Sequence, residues 1–105
     1  MKKGDILQVQ FPFTNQQGGK RRPALLLAVE APDVTVAFIT GNLALAQPHD
    51  VVLQPTALNR LSKPSLVRVL KVATLDPGQL SGRIGELTTA ELQQVDNGLR
   101  LGLGL

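Results

Sequence analysis

The chain is written in short apolar runs that proline, glycine and Asx residues cut off again and again, and a helical period emerges only near its far end. That punctuation constrains the fold most tightly, because runs of about four to eight residues between turn signals are the length of strands. Residues 5–11 alternate, with Ile6, Leu7, Val9 and Phe11 as the apolar members, until Pro12 denies a ladder its amide donor. Residues 14–20 form a polar loop whose paired glycines, Gly18 and Gly19, permit bending. Residues 24–29 are almost continuously apolar, as a strand buried on both faces would be. The Pro32-Asp33 turn signal then leads to residues 34–40 as its hairpin partner. After a loop from Gly41 to Pro48 come a short strand over 50–54, a single helical turn over 56–61 and a Val- and Leu-rich strand over 65–75. Asp76-Pro77-Gly78 is a turn before a last extended segment over 83–87.

Thr88 and Glu91 then match the capping box, in which a hydroxyl and a carboxylate satisfy each other's free amides. Leu92, Val95 and Leu99 follow at helical spacing, so one amphipathic helix closes the chain. The tail from Leu101 to Leu105 is apolar but broken by glycine, and either frays or tucks its leucines against the sheet. Five to seven short strands and one helix in 105 residues predict a single domain over 1–105, mainly β, folded as a small, strongly bent antiparallel barrel.

Counting residue types removes much chemistry. With no cysteine and one histidine there is no disulfide framework, no thiol nucleophile, no thiolate zinc site and no pair of histidines for acid and base. His49 reads as an ordinary exposed loop residue, and no ligand set for a metal is visible. Gly18-Gly19 lacks the spacing of a nucleotide-binding loop, so no cofactor is expected. The acids are scattered singly, which gives no local support to a paired-carboxylate hydrolase. No apolar run reaches the roughly 18 residues of a membrane span, and a cytoplasmic protein is expected.

Charge says more about partners. The net charge is +3, and Lys20, Arg21 and Arg22 are consecutive. A short basic run suits a solvated turn as well as a polyanion site, but Phe11 and Phe13 lie just ahead of it. Aromatic faces beside cations are what single-stranded nucleic acid uses for stacking and phosphate neutralisation.

Several stretches, in order, then carry a resemblance. Gly4-Asp5-Ile6-Leu7, Phe11-Pro12-Phe13-Thr14-Asn15 and Gly18-Gly19-Lys20-Arg21-Arg22-Pro23 open the chain, and Ala37-Phe38-Ile39-Thr40, Asp50-Val51-Val52-Leu53, Ser65-Leu66-Val67-Arg68 and Thr74-Leu75-Asp76 follow. Taken together they resemble the PemK/MazF toxins, over nearly the whole chain. The resemblance implies an SH3-like barrel of the kind shared with CcdB and a homodimer. It also implies a type II toxin that cuts single-stranded RNA without metal, restrained by an antitoxin whose acidic, disordered segment binds it.

Carried over by position, the family's catalytic arginine before a proline falls on Arg22 and its catalytic threonine on Thr40. Cleavage of that kind proceeds by attack of a ribose 2′-hydroxyl on the adjacent phosphorus, so the enzyme must align the chain and stabilise charge on phosphorane oxygens. A guanidinium keeps its proton at neutral pH and grips phosphate oxygens in a fork, which suits Arg22 to charge stabilisation and proton donation. Thr40 would orient the phosphate or the 2′-hydroxyl. Lys20, Arg21 and Lys71 are candidate phosphate contacts, Phe13 a stacking platform, and Asn42 and Ser65 hydrogen-bonding groups near the cleft. One departure stands out, because many relatives carry a glutamate in the first loop where this chain has Gln16 and Gln17. If that carboxylate moves protons in those relatives, this chain cuts more slowly or binds without cutting. Two rival readings remain open at this point: a gyrase inhibitor similar to CcdB, and a nucleic-acid-binding barrel without catalysis.

Overall fold

The computed structural model describes residues 1–10 and 21–105; the loop expected over 14–20, and with it Phe11, Phe13, Gln16, Gln17 and Lys20, lies outside the described residues. Six strands run through the described chain: β1 (Asp5–Gln10), β2 (Arg21–Glu30), β3 (Asp33–Thr40), β4 (Val51–Leu53), β5 (Ser65–Leu75) and β6 (Leu80–Glu86). Helix α1 (Thr89–Leu103) follows them. The strands pair antiparallel in the order β4-β5-β3-β2-β1-β6. The mainly β architecture with a closing helix is therefore the one the punctuation predicts, and the β2–β3 hairpin closes through Ala31 and Pro32, with Glu30 opposite Asp33.

The sheet is forced to roll. Four strand spacings separate β5 from β6 in the strand order, about 19 Å if the sheet were flat. Yet Leu75 and Leu80 are joined only through Asp76 and a 3-10 turn, Pro77–Gln79. Five Cα steps span at most about 18 Å fully extended, and a 3-10 turn shortens them. That turn is held tight, with Asp76 accepting from the Gly78 amide at 2.9 Å and Gln79 accepting from the Asp76 amide at 3.0 Å.

Rolling gives each face a core. On one face Leu7, Val9, Ala24, Leu26, Val34, Val36 and Leu75 pack together. On the other, Ile6, Leu25, Ala37, Ile39, Val67 and Val69 lie under Val95 of α1, flanked by Leu92 and Leu99. Strict alternation explains the division, since neighbours such as Ile6 and Leu7 or Val36 and Ala37 point to opposite sides. The apolar run of β2 is buried on both faces only in its first half, Ala24 to Leu26, whereas Val29 is exposed.

Three local devices fix the edges. Buried Asp5 joins the start of β1 to β6, accepting from the Lys2 amide at 2.9 Å and facing Lys2 Nζ at 3.1 Å and Arg83 Nε at 3.3 Å. Burial alone would raise its pKa, but the amide and the two cations outweigh burial and hold the carboxyl below its ordinary range. The loop before β5 turns on Asn59, which is fully buried, accepts from the amides of Thr56 and Leu61 and donates to the Gln54 carbonyl. Its expected helical turn is present as one bond, from the Arg60 amide to the Thr56 carbonyl. The same loop covers the β6 edge where Gly85 leaves no room for a Cβ beside the Leu58 and Asn59 carbonyls.

Helix α1 begins in the expected capping box, with reciprocal bonds of 3.1 and 2.9 Å between Thr88 and Glu91. It neither frays nor folds its tail inward: the helix runs on through Leu103 and stops at Gly104, whose φ of 74° is left-handed. Leu101, Leu103 and Leu105 are exposed. The glycines are tolerated because Gly98 lets the helix settle on the His49 carbonyl and Gly102 accommodates Leu70. Among the described residues no helix is long and apolar enough to cross a membrane.

Candidate functional site

The site is defined by where one ladder stops. On its β1 side β2 pairs through Pro23 as far as Arg21, but on its β3 side the pairs end at Ala24 opposite Phe38. A proline imposes this when its missing N–H falls on the β3 side. Both strands nevertheless continue, and their other neighbours fix where the side chains go. Arg22 is opposite Val9, of the core that alternates away from α1, and Thr40 is opposite Leu66 just as Phe38 is opposite Arg68. Arg22 and Thr40 thus project from the same face, each two residues past the last β2–β3 pair. Arg22 is exposed and Thr40 half-buried.

Thr40 is prepared for a particular bond. Its Oγ1 accepts from the Asn42 amide at 3.2 Å, and the Asn42 side chain in turn accepts from the Ala44 amide at 3.1 Å to cap the 3-10 turn Leu43–Leu45. With the oxygen held as an acceptor, the hydroxyl hydrogen has no acceptor among the described residues. It is available to an oxygen placed on this face.

Beside Thr40 on β3, Phe38 is half-buried, with Lys71 Nζ 5.3 Å from the centre of its ring. Lys71 reaches that position because β5 carries extra residues here: Ala37 pairs with Val72, but Phe38 pairs with Arg68. Arg68 Nε lies 3.3 Å from Asp50 Oδ2. Asp50 is itself anchored, accepting from the Gln47 amide at 3.0 Å and from the Val69 amide of β5 at 3.1 Å. The face therefore presents Arg22, Arg68 and Lys71 around an aromatic ring and an oriented hydroxyl, a combination that neutralises and positions a phosphate chain.

The structure gathers some of the residues expected from sequence and separates others. Thr40 and Asn42 are bonded to one another, Lys71 stands over the Phe38 ring two residues from Thr40 on β3, and Arg22 shares the face of Thr40 by register. Arg21 does not join them, because adjacent strand residues alternate and it points away from Arg22. Ser65 pairs with Leu53, a member of the core under α1, and is 5% exposed, with its hydroxyl donating to the Lys63 carbonyl at 2.9 Å. It lies on the opposite face from Thr40 and is closed to an incoming chain. Phe13 and Lys20 fall outside the described residues. His49 is half-buried and not the exposed loop residue expected, with Nε2 at 3.7 Å from Asp50. Sequence reasoning passed over Phe38 and Arg68 as site residues. The available signal is that Phe38 lies two residues from Thr40 and that Arg68 lies midway between Ser65 and Lys71 on one strand.

The family of PemK-like, MazF-like toxins of type II toxin-antitoxin systems matches residues 2–103. A relative from Mycobacterium bovis, Endoribonuclease MazF2, is 36% identical over 100 residues, covering 90% of this chain and 88% of its own. The solved Mycobacterium tuberculosis toxin MazF-mt6 superposes with a TM-score of 0.79 at 25% identity, over 96% of this chain and 97% of its own. A mycobacterial endoribonuclease in complex with its cognate antitoxin has the same fold, with a TM-score of 0.79 at 20% identity over 100% of this chain and 96% of its own. Match and superposition both run the length of the described sheet and helix, and the chain belongs to the PemK-like, MazF-like toxin family of type II toxin-antitoxin systems.

Proposed function

We propose that the chain is the toxin of a type II pair and an endoribonuclease that cuts single-stranded RNA, messenger RNA included, at selected sequences without a metal ion. The carrying observation is that Arg22 and Thr40 leave the same face across the point where the β2–β3 ladder has ended. In the reaction, a ribose 2′-hydroxyl gives up its proton to water as its oxygen bonds to the adjacent phosphorus, the bond from phosphorus to the 5′-oxygen of the next nucleotide breaks, that oxygen takes up a proton, and the products are a 2′,3′-cyclic phosphate and a 5′-hydroxyl. Arg22 grips the non-bridging oxygens as they gain charge and donates toward the leaving oxygen. Thr40 donates its hydrogen to the phosphate and holds it in line. Neither group is a strong base at neutral pH, so turnover lacks much of the ~10²- to 10⁴-fold that a matched acid and base supply.

The relatives named as endoribonucleases support the activity, and the solved endoribonuclease bound to its cognate antitoxin supports a protein partner. For this chain that partner is an antitoxin with an acidic, disordered segment, attracted by the net charge of +3 and by the cations of the face. A homodimer would cover Leu70, Val72, Leu101 and Leu103, apolar side chains that are exposed in the single chain. The cytoplasm, where messenger RNA is met, is the proposed location. The test incubates the protein with a long single-stranded RNA in EDTA and maps the ends. Cyclic phosphate and 5′-hydroxyl ends at recurring sequences are expected. Intact RNA with salt-dependent binding would mean a binding module, and broken DNA in treated cells a gyrase inhibitor.

A further inference from the structure

We infer that Arg68 is a second phosphate-gripping guanidinium of this face, aimed by Asp50, and that it holds the RNA at a phosphate neighbouring the one that Arg22 and Thr40 engage. The inference rests on the nuclease reading above and adds a residue to it.

Register places Arg68. Two cross-strand rows share the face: Val52, Leu66 and Thr40, continued by Arg22 and Val9, and beside it Arg68, Phe38, Ala24 and Leu7. Residues two apart on a strand are separated by about 7 Å, a span that one nucleotide step of an extended chain covers. Arg68 and Lys71 therefore flank the Phe38 ring one row away from Thr40.

Chemistry gives Arg68 its role. Asp50 meets it at Nε, and its two terminal nitrogens have no partner among the described residues. The Asp50 side chain is 1% exposed and the Arg68 side chain 25%, so the carboxylate is sunk while the guanidinium reaches the surface. Asp50 does not need Arg68 to hold the loop, since its bonds to the Gln47 and Val69 amides already tie that loop to β5. What the pair adds is a fixed direction for an open two-nitrogen edge, the geometry that takes two phosphate oxygens at once.

The experiment measures binding of a fluorescent single-stranded DNA oligonucleotide, which lacks the attacking 2′-hydroxyl, across a salt titration, with each variant's melting temperature recorded. Arg68→Gln is expected to weaken binding about tenfold and to lower the salt slope by about 0.7, the loss of one phosphate contact on a single strand. Arg68→Lys should restore the slope without the full affinity, because it keeps the charge and loses the fork. Asp50→Asn, measured well below its melting temperature, should weaken binding at an unchanged slope. An Arg68→Gln protein with the wild-type slope overturns the inference, and so does an Arg68→Lys protein with wild-type affinity if the glutamine variant does not fold. Wild-type affinity in Asp50→Asn overturns the aiming role. A slope lowered by Arg22→Ala but not by Arg68→Gln removes this inference and leaves the nuclease reading standing; a wild-type protein that does not bind at all removes both.

Discussion

Replacing Asp50 by asparagine should cost far more than the loss of one surface charge. Three donors meet this carboxylate, the Gln47 amide at 3.0 Å, the Val69 amide at 3.1 Å and Arg68 Nε at 3.3 Å, with His49 Nε2 farther off at 3.7 Å. An asparagine has one acceptor oxygen and one donor nitrogen, so whichever way it turns, its NH₂ faces at least one N–H. One bond is lost, another is weakened by loss of the charge, and a donor is left facing a donor in a side chain that is 1% exposed. An unsatisfied buried donor costs about 1–3 kcal/mol and hydrogen bonds to charged groups contribute about 1.5–3. A net loss of about 2–3 kcal/mol is therefore expected, or roughly 8–20 °C in melting temperature for a domain near 100 residues. Thermal denaturation followed by circular dichroism gives the answer directly. An Asp50→Asn protein that melts within about 2 °C of wild type would refute the reasoning, because it would mean that these bonds are replaced by water at no cost.

Two further predictions follow from the fold. Gly98→Ala adds a Cβ that collides with the His49 carbonyl oxygen, so the helix must shift. Overpacking of about 1–3 kcal/mol should exceed the roughly 1 kcal/mol gained in helix propensity, and urea denaturation should show a net loss. The carboxyl of Asp5 is held below its ordinary range in the folded state, so the unfolded chain binds its proton first as pH falls. The stability Asp5 supplies is fully present above the unfolded value near 3.9 and is lost as pH drops from there toward the folded value. Denaturation curves at decreasing pH should show this fall, and Asp5→Asn should be less stable at neutral pH with a shallower acid limb.

Local signals carried the elements, and register carried the site. The Pro32-Asp33 turn and the Thr88–Glu91 box act within a few residues, so both were readable, and both stand in the structure. The helix was longer than its punctuation suggested because Gly98 and Gly102 are contact points for β-strand and loop atoms, and only Gly104 takes up the left-handed backbone that ends it. Ser65 and Arg68 show what a single strand cannot reveal. They lie three residues apart and so point to opposite faces, but which face belongs to Thr40 is decided by the β3 and β4 ladders. The irregularity between Ala37 and Phe38 is equally invisible in the Val- and Leu-rich run of β5, and it is what brings Lys71 to the Phe38 ring. Asp50 reads as a lone acid opening a short strand, although polar groups of the preceding loop and of β5 converge on it.

The central claim is that Arg22 and Thr40 act together on one phosphate. Single-turnover cleavage of a mapped RNA site in EDTA, by wild type, Arg22→Ala and Thr40→Val, tests it most directly. Loss of a donor to transition-state charge should slow each variant by about 10²- to 10³-fold with little change in melting temperature. The double variant should fall well short of the product of the two losses, since groups serving one transition state are not additive. An Arg22→Ala protein that cuts at the wild-type rate would contradict the account.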